Sequence, residues 1–187
     1  MSRETAAEQE SLVRYREYLK LLAQVQLAPQ WRARVDLSGV VQQTLLEAHT
    51  ARRLGPSEPV GETMAWLRQV LANNLRDELR KQQAEMRDVR REQSLEAALA
   101  ESSMRLEQWL AADGPSPSHA LQREEQVLKL ATALGKLPAA QREALVLQHW
   151  QGWTLAEIAE HMRRTTTAVA GLLKRGLKQL REDLRNE

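Results

Sequence analysis

Seven Lys and Arg side chains gather between Arg163 and Arg185, against only two acids, Glu182 and Asp183. Lys174, Arg175, Lys178 and Arg181, with Ala170 and Gly171, fall off the apolar stripe made by Val169, Leu172, Leu173, Leu177, Leu180 and Leu184. A helix so divided buries one face and offers the other to a polyanion. Ahead of it, Leu155, Ile158, Ala159 and Met162 share one face of a shorter helix. Thr154 and Glu157 have the spacing of a capping box, in which each side chain takes a free backbone N–H at the helix start. Arg163-Arg164-Thr165 is the turn, and Thr165-Thr166-Thr167 cap the long helix. Short helix, tight turn and long basic helix predict a helix-turn-helix, whose second helix enters the DNA major groove. A helical hairpin with solvated charges is the plainer alternative. The capping box, the turn length and the one-sided charge together favour DNA.

Other chemistry finds little support. The chain has no Cys, which removes disulfides and thiol chemistry. No two of His49, His119, His149 and His161 stand at i,i+4 spacing, and no metal site is expected. Glu157 and His161 do, but a His at a helix C-terminus is a natural dipole partner. There is neither a Gly-rich phosphate loop nor a Ser/His/Asp signature, so the expectation is a chain that is not an enzyme and needs no cofactor. Trp109, Trp150 and Trp153 are expected to pack between helices.

The elements that carry these residues are helical. The 187 residues are dominated by Ala, Leu, Glu, Gln and Arg, all good helix formers, and no run alternates β-branched residues. The fold class is therefore all-α. Net charge is +2 with a pI near 9.1, so clustering rather than total charge carries the argument for a polyanion. A first helix spans about Ser11–Leu27, and Pro29 breaks the chain. Asp36 or Ser38 caps a second, which carries Val40, Val41, Leu45, Leu46 and Ala48. Residues 55–62 form a loop, and Thr63 caps a third helix that continues towards Arg91. Between Ser94 and Glu125 six acids face only Arg105 and Arg123; residues 94–112 carry a loose helical pattern, and residues 113–118 (DGPSPS) form the clearest linker. A helix from near His119 and another from Pro138 to about Gln151 lead to Gly152 and the helix-turn-helix. The expected organisation is two helical modules, 1–93 and 119–187, joined by an acidic linker, 94–118. No apolar run approaches the roughly 20 residues needed to cross a bilayer. The polar N-terminus lacks a signal core, so a cytoplasmic address is expected.

The stretch LPAAQREALVLQHWQGWTLAEIAEHM followed by TTTAVAGLLKRGLKQLRE resembles region 4 of bacterial sigma factors, the module that binds the promoter −35 element. RVDLSGVVQQTLLEAH resembles region 2.2, and TMAWLRQVLANNLRDELRKQ resembles regions 2.3 and 2.4. Two such modules with little between them are similar to the extracytoplasmic-function (ECF) group. The resemblance covers about residues 12–185. It implies a dissociable promoter-specificity subunit whose partners are promoter DNA and core RNA polymerase, through the β′ coiled coil and the β flap, with an anti-sigma factor as a further partner to look for. Val41, Gln42, Gln43, Leu45 and Leu46 match the helix that docks on β′. The helix from Trp66 to Arg80, and the loop before it at about Arg53–Thr63, match the −10 reader. Trp66, Arg68, Asn73, Arg76 and Arg80 are its candidate contacts, since melted DNA offers phosphates to cations and base faces to aromatic rings. At the −35 element, Arg163, Arg164 and Thr166 are expected on phosphates, and Lys174 and Arg175 on bases, with Ala170 against a thymine methyl and Gly171 allowing close backbone approach. The chain carries Gly39 where the family commonly has Asp, and Ala170-Gly171 where a basic, small-polar pair is common.

Two rivals predict different behaviour. A free-standing helix-turn-helix regulator binds an operator tightly without polymerase. A sigma-like adaptor or decoy binds protein partners with little salt-dependent DNA affinity.

Overall fold

The computed structural model describes residues 12–27, 34–54, 60–82, 90–112 and 120–186, and all their regular structure is helical. In chain order these are α1 (Arg16–Gln26), α2 (Leu37–Leu54), α3 (Val60–Gln82), α4 (Arg90–Ala112), α5 (Ala120–Lys136), α6 (Ala139–His149), α7 (Leu155–His161) and α8 (Thr166–Asn186). The predicted fold class is the observed one.

Side-chain spacing explains where each helix lies. In α1, Tyr18, Leu19 and Leu22 are fully buried, and in α3 so are Leu67, Leu71 and Leu75. Asp36 caps α2, its Oδ1 accepting from the Gly39 N–H at 3.0 Å. A Cβ on residue 39 would come within 2.6 Å of the other carboxylate oxygen, so Gly39 leaves room for this cap. Thr63 is not a cap. It lies inside α3 and is buried, because that helix already begins at Val60 and takes in the last three residues of the expected loop. The rest of that loop, 55–59, and residues 83–89, through which α3 was expected to continue, lie outside the described residues.

The segment expected as an acidic linker is a packed helix as far as Ala112. Leu99, Ser102, Ser103 and Leu106 stand at i, i+3, i+4 and i+7 and form its buried stripe, while Glu96, Glu101 and Glu107 occupy the exposed side. The acidity is real but belongs to one face. The expected boundary at 93/94 falls within α4, and residues 113–119 lie outside the described residues.

Helix α4 packs against α1, α3 and α5, and α1 also packs against α5. One apolar cluster consequently runs from Leu12 to Leu180 through both halves. Polar contacts bind the halves as well. Glu124 of α5, 5% exposed, accepts from Arg14 at 2.9 Å and from the Tyr15 hydroxyl. Trp150 donates from Nε1 to the Ser102 carbonyl at 3.3 Å. Trp109 of α4 stacks on His149, ring centroids 4.3 Å apart, and meets Trp150 edge-on at 5.4 Å. The expected inter-helix role of these rings is the one observed.

Candidate nucleic-acid interface

Local chemistry sets the geometry of α7 and α8. Helix α6 ends at His149, and the turn after it closes at Gly152, whose φ of +67° is a conformation that costs an L side chain energy and glycine little. Thr154 and Glu157 form the full capping box. The Thr154 N–H donates to Glu157 Oε2 at 2.7 Å, and the Glu157 N–H donates to Thr154 Oγ1 at 3.3 Å. The backbone hydrogen bond from Thr154, then that from its hydroxyl, holds the Glu157 carboxyl below its ordinary pKa. Between α7 and α8, Arg163 takes φ +52°, and the Arg164 N–H returns to the Ala159 carbonyl at 2.9 Å. Thr165 caps α8 by accepting from the Ala168 N–H at 3.2 Å. Across α6 and α7, His161 Nε2 lies 3.4 Å from Glu143 Oε1 and its ring meets Trp153 edge-on.

This unit presents one cationic face. Val169, Leu172, Leu173 and Leu180 are buried against the scaffold. Arg163, Arg164, Thr166, Ala170, Lys174 and Arg175 are all exposed, and Gly171 is half-buried. The Arg175 guanidinium folds back over Gly171, where a Cβ would lie 3.3 Å from Nη1. Lys178 is partly neutralised by Glu182 at 3.8 Å. Among the described residues Arg163, Arg164, Lys174 and Arg175 have no carboxylate partner. Four such cations, two at the turn and two further along α8, suit phosphate and DNA.

The residues expected at the −10 strand are less uniformly available. Asn73 is exposed and accepts from Arg76 Nη1 at 2.7 Å. Arg80 is exposed and lies 3.5 Å from Asp77. Trp66 is half-buried against the core, and Arg76 is half-buried. Arg68 turns inward, donating from Nη1 to the Tyr18 hydroxyl at 3.1 Å and to Ser103 Oγ at 3.3 Å.

On α2 the set expected to meet polymerase divides by face. Gln42, Gln43 and Leu46 are exposed, Leu46 at 56%, an unusual position for so large an apolar side chain. Val41 and Leu45 are buried and form the inner stripe with Thr44 and Ala48, so they support this surface from beneath instead of lying on it. Glu47 was not anticipated. It adds a carboxylate beside Leu46, placed by hydrogen bonds from Gln43 at 2.7 Å and from Asn74 at 3.0 Å.

Among the described residues no three His, Asp or Glu side chains gather as metal ligands, and no helix is long and apolar enough to cross a membrane.

Comparison with known proteins agrees with this geometry. Residues 128–180 match the family model for sigma-70, region 4. The chain is 30% identical over 146 residues to the RNA polymerase sigma factor CnrH of Cupriavidus metallidurans, an alignment that covers 78% of this chain and 71% of that relative.

Proposed function

Because the chain belongs to the ECF-type sigma factors of RNA polymerase, we propose that it binds core polymerase through α2 and directs it to promoters with −35 and −10 elements. The observation that carries the DNA reading is the row of exposed, unpartnered cations at the turn and on α8. Arg163, Arg164 and Thr166 hold phosphates. Lys174 and Arg175 reach base edges, and Ala170 and Gly171 let the helix lie deep in the groove. Gln42, Gln43, Leu46 and Glu47 offer the β′ coiled coil an apolar centre with a polar rim. Asn73 and Arg80 meet the melted −10 strand from the outer side of α3. No bond is made or broken by this chain.

The closed arrangement cannot read both elements at once. A compact chain of this length has a radius of gyration of about 16 Å, which corresponds to a body roughly 40 Å across. The −35 and −10 elements lie about 85 Å apart along B-form DNA at about 3.4 Å per base pair. On this reading polymerase binding separates the two halves, and the contacts of α4 and Glu124 are the ones that break.

The test is equilibrium binding of the holoenzyme to promoter duplex across a salt series. Replacing both Arg163 and Arg164 by Ala lowers the slope of log K against log salt by up to about 1.8, since each duplex phosphate contact contributes about 0.9. An unchanged slope and affinity would remove the α7–α8 unit as the −35 reader. The adaptor reading draws on Ala170-Gly171, which have no side chain able to hydrogen-bond a base, and it predicts that core binding survives with this slope already near zero.

A further inference from the structure

Arg68 sits on the helix proposed to face the −10 strand, yet its guanidinium is spent inside the protein. It donates to Tyr18 of α1 and Ser103 of α4, and Tyr18 itself donates to Ser103 at 2.9 Å. Tyr18 and Ser103 are both buried, and burial pushes the Tyr18 phenol above its usual pKa. The acceptors are two neutral hydroxyls. A guanidinium cannot shed its charge, and a phosphate or carboxylate meets it with an opposite charge and two oxygens that match its planar fork, which neutral hydroxyls do not. A cation built only to brace this seam would be better served by a carboxylate. Neutral acceptors suit one that leaves when a phosphate becomes available.

The helix that supplies Ser103 is tied to both halves of the chain. Gln26 of α1 donates to the Ala98 carbonyl at 3.0 Å and to Ser102 Oγ at 2.7 Å, and Trp150 donates to the Ser102 carbonyl from the other side. Separating the halves therefore disturbs α4, and with it Ser103.

We propose that α4 is an internal mask. In the closed chain Ser103, with Tyr18, withholds Arg68 from nucleic acid, and release of α4 frees Arg68 for a −10 strand phosphate in the same step that parts the two halves. This rests on the reading of α3 as the −10 helix.

Two full-chain variants push the mask in opposite directions. Tyr18→Phe with Ser103→Ala removes both acceptors and loosens it; Ser103→Asp gives Arg68 a carboxylate and tightens it. The probe is a labelled mixed-sequence single strand of bromodeoxyuridine-substituted DNA, photocrosslinked with and without core polymerase and scored on the sigma band alone. The loosened free chain should crosslink about fivefold more than its parent, with a salt slope steeper by about 0.7, the value of one single-strand phosphate. Adding Arg68→Ala should cancel that gain. The tightened chain with core should crosslink about fivefold less. If either variant fails to fold, as judged by far-UV circular dichroism, the other still decides. Folded variants that crosslink like the parent, or that both lose crosslinking, would overturn the mask. If the parent chain with core captures no strand at all, the −10 reading falls and the mask falls with it; if capture is normal and only the variants are silent, the mask alone is wrong.

Discussion

Glu124 gives the sharpest test of how the closed chain is held. Replacing it with Ala removes a buried acceptor from the Tyr15 hydroxyl and from Arg14. A hydrogen bond to a charged group contributes about 1.5–3 kcal/mol net, and the Tyr15 hydroxyl is left without this acceptor. The Arg14 side chain is 48% exposed, so solvent screening holds its share below about 1 kcal/mol. Relief from burying the carboxylate offsets part of the loss. The balance is a destabilisation of about 2 kcal/mol, or about 4–8 °C in Tm for a chain of this size. Tyr15→Phe with Glu124→Leu removes both polar partners and should recover most of it, because a matched apolar pair is nearly neutral. Urea and thermal unfolding of the parent, Tyr15→Phe, Glu124→Leu and the double variant complete the cycle, with Glu124→Ala measured beside them. A Glu124→Ala chain within 0.5 kcal/mol of its parent, or a double variant as unstable as the sum of the singles, would refute the reasoning.

Three further outcomes follow from the same contacts. Tyr15 and Tyr18 are the two tyrosines of the chain, and burial, first of all, raises both phenols, with the Glu124 hydrogen bond adding to it for Tyr15. Their stabilising effect is complete below pH 10 and is lost as pH rises through the folded values, so tyrosinate absorbance should titrate above pH 10 in the native chain; a midpoint at the ordinary value would count against the buried seam. Thr154→Ala should cost about 1 kcal/mol by removing a helix cap. The N–H of residue 154, the larger cause of the lowered Glu157 pKa, survives in the variant, so only the hydroxyl's share is lost: the Tm gap should narrow without closing as pH falls through the lowered value, and a gap that widens instead would contradict the hydroxyl's bond to the carboxylate. Arg163→Gly relieves a left-handed φ of +52°, and unfolding should show it stable to within about 1 kcal/mol of the parent while duplex affinity falls; a large loss of stability would mean that the side chain holds the turn.

What the sequence disclosed was local. The capping box, the turn at Arg163–Thr165 and the start of α8 depend on neighbours within four residues, and the structure places them where the spacing put them. The all-α class follows from composition in the same way. The role of α4 depended on distant partners. Its loose helical pattern and its acids suggested a connector between modules, because composition does not say which face the acids occupy. A signal was present in the register of Leu99, Ser102, Ser103 and Leu106, where two small polar residues stand in an apolar stripe. Glu124 likewise holds an apolar register with Val127, Leu128 and Ala131, and its partners lie about 110 residues away in the chain. On α2, a stripe drawn through Val41, Thr44, Leu45 and Ala48 separates the inner residues from Gln42, Gln43 and Leu46. The family resemblance, matched position by position, carried both faces forward together.

The central claim is that this chain gives core polymerase its promoters. The most direct measurement is in vitro transcription with purified core polymerase, the full chain and fragmented genomic template. Discrete transcripts that require the chain, starting at fixed distances from a shared two-part motif, are the predicted result. Neither transcripts nor stable association with core would contradict the account and bring a free-standing DNA-binding regulator forward.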